Sequence, residues 1–117
     1  LVIGKGDLFE LKTVAERFCP YVWSFITDTY NPETGAEGAT GITHDWNISR
    51  ELVGCAKRPI ILAGGLNPAN VAQAICSVKP AGVDVHTGIE GQDGRKDFHL
   101  VNAFVSSSIS AFQTTSF

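Results

Sequence analysis

The sequence contains no methionine and only three cysteines, Cys19, Cys55 and Cys76. They form neither an even set nor a CxxC pair, which argues against a disulfide framework or a structural zinc site and fits buried free thiols in a reducing compartment. No run of basic residues exceeds the pair Arg95 and Lys96, and 9 Lys+Arg against 12 Asp+Glu leave a net charge of −3. The clustered cations that neutralise nucleic-acid phosphates are therefore missing. No apolar stretch approaches the ~18 residues that cross a bilayer, and Leu1–Lys5 is not the basic-then-apolar head of a secretory signal. These absences predict a cytoplasmic protein with no nucleic-acid or membrane partner. The missing methionine, with a first residue already inside an apolar run, predicts a chain that starts within a larger protein.

What is present is 117 residues, 44% hydrophobic, enough for one domain and too few for two. Four apolar runs, Leu1–Lys5, Tyr21–Thr27, Pro59–Ala63 and Gly82–His86, alternate with four segments of helical period. Each run is almost uniformly apolar, as a strand covered on both faces should be. The first helix is expected after Asp7 and Glu10, in capping-box spacing, with Leu11, Val14, Ala15 and Phe18 on one stripe and a stop before Pro20. Thr43 or Asp45 should cap the second, which carries Ile48, Leu52 and Cys55, so Cys55 packs rather than reacts. Asn67 and Pro68 open the third, which buries Val71, Ile75 and Val78 and closes at Pro80 and Gly82. The last, after Asp97, carries Phe98, Val101, Val105, Ile109 and Phe112, and its four serines predict a frayed end. Trp23 and Trp46 read as packing residues.

Alternating strands and helices build a parallel sheet, either open or an arc of a (β/α)8 barrel. A full barrel takes ~250 residues, so four units make half of one. The expected fold is α/β, a half-barrel over residues 1–117, with unpaired edges at the first and last strands that need another half or a second copy.

In either architecture function gathers after the carboxyl ends of strands. Gly64 and Gly65 stand between a strand and a helix N-terminus, where bare amides and the helix dipole can receive an anion, or where the glycines serve only a tight turn. Thr87 and Gly88 add a hydroxyl and an amide on the neighbouring strand. Asp28 ends an apolar strand, where partial desolvation favours the protonated carboxyl and suits a general acid; a turn-capping role is the alternative. For Asp84 the deciding question is which face of its strand it occupies. His44, His86 and His99 show no metal-ligand spacing, and no metal is expected.

The runs Ile61–Val71 (Ile-Leu-Ala-Gly-Gly-Leu-Asn-Pro-Ala-Asn-Val), Gly82–Glu90 (Gly-Val-Asp-Val-His-Thr-Gly-Ile-Glu) and Gly94–Asp97 resemble the C-terminal half of phosphoribosylanthranilate isomerase. Phe25–Thr29 and Gly38–Trp46 resemble its sixth strand and the following loop. The resemblance implies units five to eight of a (β/α)8 barrel and a cofactor-free Amadori rearrangement in tryptophan biosynthesis, an aldose-ketose isomerisation of a phosphorylated substrate. It makes Asp28 the general acid and puts Gly64, Gly65, Asn67, Asp84, Thr87 and Gly88 around the phosphate and substrate. Gly38, Thr40 and Gly41 belong to the substrate loop. The family's general base, a Cys ending the first strand, has no counterpart in this chain, so the chain alone is expected to be inactive. Ala39, His44 and His86 depart from the family pattern, His86 standing where a serine is usual. The alternatives are another phosphosugar isomerase or lyase, or a non-catalytic phosphate-binding half-barrel that assembles with a partner.

Overall fold

A computed structural model describes residues 1–4, 7–29 and 45–117. Strand β1 (Val2–Ile3) precedes helix α1 (Leu8–Phe18), whose first turn is closed by Asp7, its carboxylate accepting from Glu10 N at 2.8 Å. A 3-10 turn, Cys19–Tyr21, then leads to β2 (Phe25–Ile26) and β3 (Asp28–Thr29). These two are halves of one extended segment whose amides point alternately left and right. Thr27 N donates to Ile61 O at 3.0 Å and Asp28 N to Leu1 O at 2.8 Å. The segment thus pairs with β4 (Ile60–Leu62) on one side and β1 on the other, and β5 (Gly82–Val83) adds beside β4. Among the described residues every strand ladder is parallel, and the strands follow chain order across the sheet. That is the α/β arrangement expected, with shorter strands than the apolar runs: Tyr21 and Trp23 are 82% and 94% exposed and lie outside any strand.

One face of the sheet is covered. Ile3, Phe25, Thr27, Thr29, Ile60 and Leu62 are buried beneath the helices, while Ile26, one residue out of phase, is 47% exposed. Uniformly apolar strands predict burial on both faces; the described residues cover only one. Helix α2 (Trp46–Cys55) starts at Asp45, whose carboxylate accepts from Asn47 N at 2.9 Å. It buries Ser49 and Leu52, and Trp46 packs against the main core, as expected of it. Cys55 is exposed, contrary to the packing role its spacing suggested, because it stands in the last turn where the helix leaves the sheet. Cys76 is exposed and Cys19 half-buried, so the three thiols are not the buried set the composition suggested.

Helix α3 (Val71–Val78) buries Val71, Ala74, Ile75 and Val78 and ends at Lys79 in the left-handed conformation, with Pro80 buried behind it. The stretch Pro68–Asn70 is a turn that leads into it rather than its first turn. Helix α4 (Phe98–Thr114), capped by Asp97, lies against α3 through Phe104, Ser108 and Ala111. This corrects the expected stripe: Phe98, Val105 and Ile109 face outward. The small side chains of Ser108 and Ala111 let the helices approach, and the Ser108 hydroxyl is satisfied by Phe104 O at 2.8 Å. The helical ladder of α4 is continuous to its last turn. Its turns continue to Thr115 N, which donates to Ala111 O at 2.9 Å, and Phe112 meets Phe117 with ring centroids 5.9 Å apart.

Candidate active site

Because all strands run parallel, their carboxyl ends lie together, and three of the sequence-selected segments meet there. Asp28 alternates with the buried Thr27 and Thr29, which places it with Ile26 on the open face of the sheet. It is half-buried, and its Oδ1 accepts from Thr29 N at 2.9 Å.

Thr27 was not singled out from the sequence as a functional residue, yet it ties this strand to the next loop. Fully buried, its hydroxyl donates to Ala63 O at 3.1 Å and accepts from Ala63 N at 3.0 Å. The chain then turns through Gly64 and Gly65 at φ of 110° and 68°, a left-handed pair that side chains disfavour. Asn67 and Asn70 lock the turn. Asn67 Oδ1 accepts from Ala69 N and Asn70 N at 2.8 and 3.0 Å, while Asn70 accepts from Asn67 N and donates to Gly65 O. The Asn67 side chain therefore shapes the loop from within.

The segment after β5 comes up against this turn. Asp84 N still pairs with Leu62 O at 2.9 Å, so the alternation continues past the strand: Val83 and Val85 pack on the core and Asp84 is exposed. Asp84 thereby shares the open face with Asp28. Thr87–Ile89 form a 3-10 turn, and amides at the start of such a turn have no partner within it. Gly88 sits on the backbone of the glycine turn: a Cβ there would collide with Leu66 O and lie 2.9 Å from Leu66 C and 3.0 Å from Asn67 Cα. The two loops singled out from the sequence are thus one structure.

Gly38, Thr40, Gly41, Ala39 and His44 lie outside the described residues. Among the described residues no three His, Cys, Asp or Glu side chains gather as a metal site requires, and no helix is long and apolar enough to cross a membrane. His86, the strand-end histidine, directs Nδ1 at Lys96 Nζ, 3.0 Å away.

Against known proteins, the family of N-(5'-phosphoribosyl)anthranilate (PRA) isomerase matches residues 3–107. An N-(5'-phosphoribosyl)anthranilate isomerase of Haloferax volcanii is 45% identical over 110 residues, which are 94% of this chain and 47% of that protein. The solved N-(5'-phosphoribosyl)anthranilate isomerase of Pyrococcus furiosus superposes with a TM-score of 0.69 at 29% identity, over 94% of this chain and 48% of that one. A phosphoribosyl anthranilate isomerase in complex with reduced 1-(o-carboxyphenylamino)-1-deoxyribulose 5-phosphate matches at a TM-score of 0.66 and 25% identity, over 93% of this chain and 47% of that one. The chain spans about half the length of the curated relatives it matches.

Proposed function

The chain belongs to the N-(5'-phosphoribosyl)anthranilate isomerase family, and on that premise we propose that residues 1–117 form units five to eight of a (β/α)8 barrel, carrying the acid and the phosphate cradle of an Amadori rearrangement in tryptophan biosynthesis. The substrate is N-(5'-phosphoribosyl)anthranilate. Its phosphate is held by the amides of Gly64, Gly65, Thr87 and Gly88, which present fixed dipoles to an anion without holding a charge of their own. Asp28 protonates the furanose ring oxygen as the ring opens, and a base removes the proton from C2 to give the enolamine that becomes the ketose.

Cys19 follows α1, Cys55 ends α2 and Cys76 lies on α3, so the base in this reading comes from outside these residues, as does the cover for the open face around Ile26. Asp84 stands on that face beside the substrate. Remote binding through the phosphate fixes the reacting carbons relative to Asp28, where positioning contributes most.

The observation that supports this reading is the seating of Gly88 on the Leu66–Asn67 backbone, which joins two amide-rich loops at the sheet end where Asp28 stands. The relative solved with reduced 1-(o-carboxyphenylamino)-1-deoxyribulose 5-phosphate accommodates an analogue of the proposed product. The test is to follow N-(5'-phosphoribosyl)anthranilate consumption by the naturally encoded protein, with inorganic phosphate as competitor. Turnover that phosphate inhibits competitively is the expected result. Turnover of a different phosphosugar with none of this substrate would overturn the reading.

A further inference from the structure

The loop between β5 and α4 is closed by one side chain that the reaction does not use. Lys96 Nζ donates to His86 O at 2.7 Å, to Glu90 Oε2 at 2.9 Å and to His86 Nδ1 at 3.0 Å. A lysine ammonium has three N–H donors and no acceptor, so all three are engaged within the loop and none is left for a ligand. An exposed Lys–Glu pair by itself contributes little. Here the same ammonium also grips a backbone carbonyl at the residue immediately before Thr87, while Glu90, immediately after the 3-10 turn, bridges to Lys96 in an antiparallel pair. Both ends of the Thr87–Ile89 turn are thus fastened to one point. Further bonds complete the frame: Glu90 N donates to Thr87 O at 3.1 Å, Gly91 N to Arg95 O at 2.8 Å and Asp97 N to Ile89 O at 2.8 Å.

We propose that Lys96 is a positioning residue of the phosphate cradle: by fastening His86 and Glu90 it holds the Thr87 and Gly88 amides at the spacing that receives the substrate phosphate. The proposal rests on the cradle reading above. It has a second consequence. Since Nζ can only donate, His86 Nδ1 accepts, and the neutral imidazole carries its proton on Nε2. Lys96 therefore selects the tautomer of a histidine that stands beside the cradle.

The test is Lys96→Met in the naturally encoded protein, assayed alongside wild type. Losing charge-assisted bonds at the hinge of the cradle should raise KM and the inhibition constant of inorganic phosphate about tenfold together, with kcat within about threefold. In the 15N spectrum, neutral His86 should gain an Nδ1–H fraction that the Lys96 contact excludes in wild type. A variant that melts earlier yet keeps both KM and the phosphate constant within twofold of wild type would show a purely structural lysine and overturn the proposal. Should Lys96→Met fail to fold, Glu90→Gln, which keeps the side-chain shape and weakens one bond, is judged by the same two constants, with a shift of about threefold expected. Wild-type protein that neither turns over the substrate nor binds phosphate refutes the functional reading itself, a result distinct from failure of the lysine's role.

Discussion

Replacing Gly88 with alanine adds one methyl group where the Thr87–Ile89 turn touches the Leu66–Asn67 backbone. Carbon atoms attract best at ~3.5–4.0 Å, whereas the new Cβ would stand 2.9 Å from Leu66 C and 3.0 Å from Asn67 Cα, with Leu66 O nearer still. All three obstacles are backbone, held by the Asn67 and Asn70 hydrogen bonds, so no side chain can swing aside. The loops must part by roughly 0.5–1 Å to relieve the carbon contacts alone. Overpacking of this kind costs about 1–3 kcal/mol, and a rigid backbone puts Gly88→Ala near the upper end. A displacement of about 1 Å in a group that positions substrate can reduce turnover on the order of 100-fold. Urea denaturation should show a lower midpoint at unchanged slope, and kcat/KM measured well below the transition should fall by that order. A variant with wild-type midpoint and wild-type kcat/KM would refute the claim that the loops are seated on one another.

Two further substitutions test the frame around the site. Thr27→Val keeps the shape but leaves the buried Ala63 N without its partner, and should cost about 2 kcal/mol, read as a lower urea midpoint at constant slope; an unchanged midpoint would show that the tie between strand and glycine turn carries no weight. Gly54→Ala, in the exposed last turns of α2 with nothing within 4 Å of the added Cβ, should stabilise by about 0.5–1 kcal/mol through helix propensity and leave catalysis untouched, so a loss of stability there would contradict the placement of α2.

How much could be read from the sequence follows the range of the interactions. Asp7 and Asp45 cap their helices as their spacing implies, since a cap acts within one turn, and Asp97 caps α4 in the same way. The same local logic found the Gly64–Gly65 turn and the helix beyond it. The buried face of α4 was not legible. Apolar residues occupy more than one side of that helix, and the side that packs does so through the small Ser108 and Ala111, which a hydrophobic pattern passes over. Cys55 misled for a related reason: its register is right, but α2 ends before that register meets the sheet. Thr27 and Lys96 carried no signal because their meaning depends on partners. Thr27 bonds across 36 residues to Ala63, and Lys96 reads as half of a short basic pair until His86 and Glu90 are brought to it. Asp84 was left undecided between two faces, and the continued pairing past Val83 decides it.

In the proposed reaction Asp28 is the proton donor beside the phosphate cradle. The most direct measurement is the steady-state comparison of Asp28→Asn with wild type in the naturally encoded protein, using N-(5'-phosphoribosyl)anthranilate. The amide keeps the size and an acceptor for Thr29 N but has no acidic proton to give. The expected result is a kcat lower by roughly 100-fold or more with KM and phosphate inhibition within a few-fold of wild type, since the cradle is untouched. Near-normal kcat would contradict a proton-donating Asp28 and remove it from the chemistry.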